Sequence, residues 1–222
     1  MSDGTPGVPP AEAVFSDPRM LRAHVAAMNG DVAELRALTQ TSPKLDLDTT
    51  TPSGVNLLMY EILAGNGIAM GALLQAGADP NALAPEGASP MLVAGTEEDP
   101  RWLTLLLDAG GDPNLKGSTG EPLIVLLVPY DRWGSIVLLL DRGANIDAVG
   151  PSGQTATLRL GALHQFERVN AMLDRGADPS IADAHGLQLK AFVTQRVAKG
   201  SPELPWRDRV AERLGLESAG PA

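Results

Sequence analysis

Two series of glycines run in step through this chain of 222 residues. Gly54, Gly87, Gly120, Gly153 and Gly186 stand 33 residues apart, and so do Gly77, Gly110, Gly143 and Gly176. The words around the second series repeat with it. Leu73-Leu74-Gln75-Ala76-Gly77-Ala78-Asp79-Pro80-Asn81 returns as Leu106-Leu107-Asp108-Ala109-Gly110-Gly111-Asp112-Pro113-Asn114. It comes again as Leu139-Leu140-Asp141-Arg142-Gly143-Ala144-Asn145-Ile146-Asp147 and as Met172-Leu173-Asp174-Arg175-Gly176-Ala177-Asp178-Pro179-Ser180. So strict a period restricts the chain to a stack of like units, each too small to bury its apolar face without neighbours.

The residue types say what each unit is. Leu-Leu-x-x-Gly ends a helix, with glycine where the backbone turns left-handed. Asp-Pro-Asn then opens an extended turn, because proline keeps the residue before it out of the helical region. About ten residues later the Gly54 series tightens a second turn before the next helix. Each unit therefore reads as a β-turn finger followed by two short antiparallel helices. Asp17 with Pro18 predicts an N-cap and first helical position at the start, and Asp31 with Glu34 has capping-box spacing. The segment Ser42–Thr51 lacks the finger glycine and fits the period only with a small insertion. At the far end, after Gly200-Ser201-Pro202, a last helix places Trp206, Val210 and Leu214 on one face and stops at Gly215.

With its 33-residue period and its Gly-x-Thr-Pro-Leu-His opening, the pattern resembles the ankyrin repeat family over residues 17–215. The opening is eroded to Gly54-Val55-Asn56-Leu57-Leu58, Gly87-Ala88-Ser89-Pro90-Met91, Gly120-Glu121-Pro122-Leu123 and Gly153-Gln154-Thr155-Ala156-Thr157. The third copy is one residue short, offset within Val128–Gly134, and the family's opening histidine is absent throughout. The resemblance implies an all-α ankyrin solenoid with atypical ends. A disordered leader is expected over 1–14 and a single domain over 15–216. Within it lie an N-terminal capping unit 17–50, full repeats 51–83, 84–116, 117–149 and 150–182, and a C-terminal capping unit 183–216. A flexible tail, 217–222, follows.

Composition narrows the function. A formal net charge of -10 argues against nucleic acid, whose phosphates need clustered Lys and Arg. It suits a basic protein partner, which such a field would steer. With no cysteine there is no disulfide, thiolate metal site or cysteine nucleophile. No apolar run is long enough to span a membrane. Met1–Pro10 has neither a basic nor an apolar stretch, so the chain as numbered is expected in the cytoplasm, or in the periplasm if a signal peptide has been removed. Gly65-Asn66-Gly67-Ile68-Ala69-Met70-Gly71 looks like a phosphate loop but falls where the period puts the turn between two helices. Glu97-Glu98-Asp99 falls in the same turn one repeat later, and His24, His164 and His185 have no metal-ligand spacing. No catalytic motif, metal site or cofactor site is expected.

The remaining reading is a non-enzymatic module, a monomer when free, that binds another protein. The resemblance implies a concave face made of finger tips and inner helices. By period its candidate residues are Ser53, Val55, Glu86, Ala88, Thr119, Glu121, Ser152, Gln154, His185 and Leu187. Tyr130, at the end of a first helix in a chain with few aromatics, joins them as an exposed anchor. Trp133 and Phe166 share one repeat position and are expected in the core, while Trp102 is expected as either core or a partly exposed anchor. The ending, Gly186-Leu187 through Phe192-Val193 to Trp206-Arg207, Val210 and Leu214, resembles that of small bacterial ankyrin-repeat immunity proteins encoded beside type VI secretion lipase effectors. A toxic lipase effector is the partner this implies. A general scaffold or regulator, and an accessory chaperone of a secreted effector, are the alternatives.

Overall fold

The computed structural model describes residues 7–195 and 197–217, and places them in helices and turns with no strand among them. Two compact units divide the chain, Met1–Ser118 and Thr119–Ala222, with the boundary inside the finger of the third repeat. The first holds α1 (Ala11–Val14), α2 (Pro18–Met28), α3 (Val32–Gln40), α4 (Leu57–Leu63), α5 (Gly67–Ala76), α6 (Pro90–Thr96) and α7 (Arg101–Asp108). The second holds α8 (Leu123–Leu126), a 3-10 turn Val128–Tyr130, α9 (Trp133–Asp141), α10 (Ala156–Ala162), α11 (Phe166–Asp174), α12 (Lys190–Val193) and α13 (Leu204–Arg213).

The repeated helix ending closes the same way each time. Gly77 takes a φ of 103°, and the next amide, Ala78 N–H, reaches back to the Leu73 carbonyl at 3.0 Å. Gly143 and Gly176 repeat this with Ala144 N–H to Leu139 and Ala177 N–H to Met172. These are Schellman closures, which satisfy carbonyls that the helix end would orphan. The first apolar residue of each word, Leu73, Leu106, Leu139 or Met172, is fully buried. Gly111 breaks the Gly-Ala pattern for a steric reason: a Cβ there would stand 2.6 Å from Met91 Sδ and 2.8 Å from the Leu106 carbonyl oxygen.

Asp and Asn recur after these glycines because they carry a hydrogen-bond ladder. In the first unit Asp48 Oδ1 accepts from Asp79 N–H at 3.0 Å. Asp79 Oδ1 then accepts from Asn81 N–H, and Asn81 Oδ1 from Asp112 N–H at 2.7 Å. In the second unit Asn145 accepts from Asp147 N–H, and Asp147 accepts from Asp178 N–H at 3.0 Å. Short acceptor side chains thus satisfy backbone donors of the next repeat, a role turn propensity alone does not reveal.

The eroded openings keep one function of the family word, the N-cap. Asn56, Ser89 and Thr155 are buried and accept from the amides of Met59, Leu92 and Leu158 at 2.9, 3.1 and 3.0 Å. Pro122 occupies this place in the third repeat and caps nothing; its helix α8 is four residues long and gives way to the 3-10 turn ahead of Pro129. Without the histidine, fingers close on backbone bonds, Thr51 N–H to Val55, Ala84 N–H to Ala88 and Asp183 N–H to Leu187.

At the N-terminus, Asp17 caps α2 and Asp31 caps α3. Glu34, however, does not complete a capping box; it pairs with Arg22 at 2.5 Å. The leader needs a correction over residues 7–14. Ala11 and Phe15 are buried, Phe15 meets Tyr60 edge-on at 5.5 Å, and the Tyr60 hydroxyl donates to the Pro9 carbonyl at 3.0 Å. This segment packs on α2 and on Tyr60 of α4. Residues 1–6 of the leader and 218–222 of the tail lie outside the described residues.

Candidate protein-binding surface

Each finger sorts its side chains by position. In the first unit the residues before the glycine, Ser53 and Glu86, are exposed, while those after it, Val55 and Ala88, are half-buried. The returning backbone explains this, since Val55 and Ala88 supply the carbonyls that close their fingers. In the second unit Thr119, Ser152 and His185 are exposed and Gln154 is half-buried. Leu187, in the last finger, is 37% exposed. Asp183 beneath it accepts from the Leu187 and His185 amides at 2.9 Å, and the Leu187 bond, more than any other contact, holds its carboxyl below the usual range.

Glu121 is occupied with structure. Its Oε1 accepts from Ser152 N–H at 2.9 Å, and its chain fills the space beside Gly150, where a Cβ would stand 2.5 Å from Oε2. Glu86 likewise lies over the preceding finger, with Oε2 2.8 Å from a Cβ built on Gly54. At Gly87 an added Cβ would collide with the Ser118 hydroxyl, a side chain that can rotate away, whereas at Gly153, with φ 72°, it would meet the Ala184 amide nitrogen at 2.6 Å, backbone that cannot. Gly54, Gly87 and Gly153 are therefore small for their neighbours as well as for their backbone, while Gly186 has open space around it.

Tyr130 is 52% exposed at the end of the 3-10 turn. Leu163, one period later, is 50% exposed at the end of α10, a second apolar group that the 33-residue step could have flagged. Phe166 is fully buried as expected, whereas Trp133 is only half-buried, with the Arg168 guanidinium 5.8 Å from its ring. Trp102 is buried against Gly67, whose missing side chain makes room for the indole. Asp99 caps the following turn and pairs with Arg101.

Sequence reading missed one polar site. Glu61, fully buried on α4, meets His24 Nδ1 of α2 at 2.6 Å, and its Oε2 has no hydrogen-bond partner. The Glu61 bond raises the His24 imidazole above its ordinary value, against the opposing cost of burial. Tyr60 packs edge-on against the same imidazole at 5.5 Å.

Among known proteins, no family model matches the sequence, and no curated protein does. Solved structures do. The ankyrin repeat domain of Bcl-3, described as a unique member of the IkappaB protein family, superposes with a TM-score of 0.73 at 24% identity, over 91% of this chain and 88% of that one. The ankyrin repeat protein EF0377 gives a TM-score of 0.67 at 21% identity, over 91% of this chain and 98% of that one. The chain has the ankyrin-repeat fold. No helix among the described residues is long and apolar enough to cross a membrane.

Proposed function

We propose that this chain is a non-enzymatic protein-binding module. The observation that carries this is a division of labour within the repeat. Polar groups that hold the scaffold, such as Asn56, Ser89, Thr155, Asn81 and Asp147, bond backbone donors of their own or the next repeat, while Thr119 and His185 at the finger tips have exposed side chains. Ser53 and Ser152 are exposed too, and their hydroxyls bond only inside their own fingers, to Thr51 Oγ1 and the Gln154 amide. A surface whose side chains do not hold the fold is free to be shaped by a partner. In the second unit Tyr130 and Leu163, exposed at the ends of first helices, supply apolar anchors.

More specifically, the module is a stoichiometric inhibitor of a toxic bacterial enzyme of the type VI lipase class. The resemblance of the Gly186–Leu214 ending to lipase immunity proteins supports this. The test is to titrate the chain against the product of the neighbouring gene. Inhibition should saturate at equimolar ratio, and co-expression should restore growth to poisoned cells. A toxin that keeps full activity in large excess of the chain would contradict the inhibitor reading. Retention of some other host protein on the immobilised chain would then support a scaffold or chaperone.

A further inference from the structure

The acidic charge is not spread evenly. Residues 1–118 carry fifteen Asp and Glu against six Lys and Arg, while 119–222 carry twelve against eleven. In the second unit acids are tied to arginines farther along the chain: Asp131 to Arg168, Asp141 to Arg175 at 3.4 Å, and Asp174 to Arg213 at 2.5 Å. In the first unit acids outnumber Lys and Arg by nine.

That acidic unit also exposes an apolar face. Val25 is 56% exposed, Met28 49%, Leu63 39% and Ile68 67%. Val25 and Met28 are three apart on α2 and share one side of it. Met28 ends α2 as Leu63 ends α4, each followed by the same glycine turn, and the buried His24–Glu61 contact sets the two helices side by side. Ile68 closes the group: its Cγ2 stands 3.6 Å from a Cβ built on Gly30 in the α2–α3 turn. Asp31 follows that turn, and Glu97, Glu98 and Asp99 follow α6, which packs on α4.

We infer that this face docks a basic amphipathic helix of the partner, an apolar stripe flanked by Lys and Arg. The inference rests on the protein-binding reading above and names the partner's chemistry. Apolar contact supplies the stripe's seat, and the unit's acidic surplus, nearest the face at Asp31, Glu97 and Glu98, selects its flanks. Two copies of the same acidic unit repel each other, and an anionic membrane surface repels it as well. A peptide that binds by strand addition would need a sheet edge, and the described residues form no strand.

The test uses the full chain with labelled methyl groups and a synthetic helix of about 18 residues, leucine at helical spacing with lysine flanks. Its control carries glutamate in place of lysine. The lysine helix should bind saturably and shift the methyls of Val25, Met28, Leu63 and Ile68. Its affinity should fall at least about tenfold between roughly 50 and 500 mM salt, and a similar amount in a Met28→Ser, Ile68→Ser double variant. Absent binding, shifts confined to other methyls, equal binding of the glutamate helix, or shifts of this face on dilution of the chain alone would each overturn the inference. Capture from the native host separates the two levels. A partner held equally by parent and double variant leaves the protein-binding reading standing and overturns this one; no partner held by the parent overturns both.

Discussion

In the second unit Asp131, Asp141 and Asp174 each meet an arginine farther along the chain, on surfaces open to water. In the first unit α2 and α4 are joined through a carboxylate with no exposure at all, Glu61 against His24. The same repeat has been given two kinds of polar joint. Exposed pairs neutralise charge at little gain in stability, since water competes for both partners. A buried pair does the reverse: removing one partner strands a charge where nothing solvates it. The charge difference between the units has another source, their composition: fifteen acids against six Lys and Arg in the first, twelve against eleven in the second.

The largest expected effect breaks the buried joint. His24→Ala should lower stability by about 3 kcal/mol in urea unfolding, because Glu61 then loses its hydrogen-bonded partner. A loss below about 1 kcal/mol would place this joint in the same class as the exposed ones. The pair also sets a pH dependence. His24 titrates higher in the folded state than its ordinary 6.5, so its contribution is complete below 6.5 and lost as pH rises through the raised value. The gap in urea midpoint between parent and His24→Gln should therefore narrow as pH rises; a constant gap would contradict the assigned role.

Next in size are two glycines of the second unit, the same residue type under different constraint. Gly153→Ala should cost about 2–3 kcal/mol, since the new Cβ adds a clash with the Ala184 backbone to the left-handed strain. Gly143→Ala, with nothing within 4 Å, should cost about 1 kcal/mol from strain alone. Equal melting temperatures for the two variants would remove the steric part of this account. The smallest effect is at an exposed joint: Asp174→Ala should change stability by about 0.5 kcal/mol or less, and 0.5 M salt should erase even that.

The periodic features were legible in the residues, and the aperiodic ones were not. Helix ends at Gly77, Gly110, Gly143 and Gly176, the caps at Asp17 and Asp31, and the burial of Phe166 all follow from local preference plus a 33-residue step. The His24–Glu61 joint escaped because it spans 37 residues across the irregular Ser42–Thr51 segment, where the period slips. Order in residues 7–14 escaped because Gly and Pro obscured the i, i+4 pair of Ala11 and Phe15, whose partner Tyr60 lies far along the chain. The Asp and Asn ladder was visible as a pattern but read as turn preference; the residues' bonds run to the next repeat, which only three-dimensional stacking brings near. Among the candidate site residues, exposure follows position within the finger except at Leu187 in the last one, and Glu121 is set apart by its bond to Ser152.

The central claim, that finger tips and inner-helix ends bind a partner while the outer parts of the repeats serve only the scaffold, is tested most directly by amide hydrogen exchange. The chain is measured alone and in complex with the protein it captures from its native host. Protection should rise on binding at the fingers around Ser53, Glu86, Thr119, Ser152 and His185 and at the helix ends near Met28, Leu63, Tyr130 and Leu163. The ends of α9 and α11 at Asp141 and Asp174 should stay unchanged. Protection confined to those outer helix ends, or spread evenly along the chain, would contradict the account.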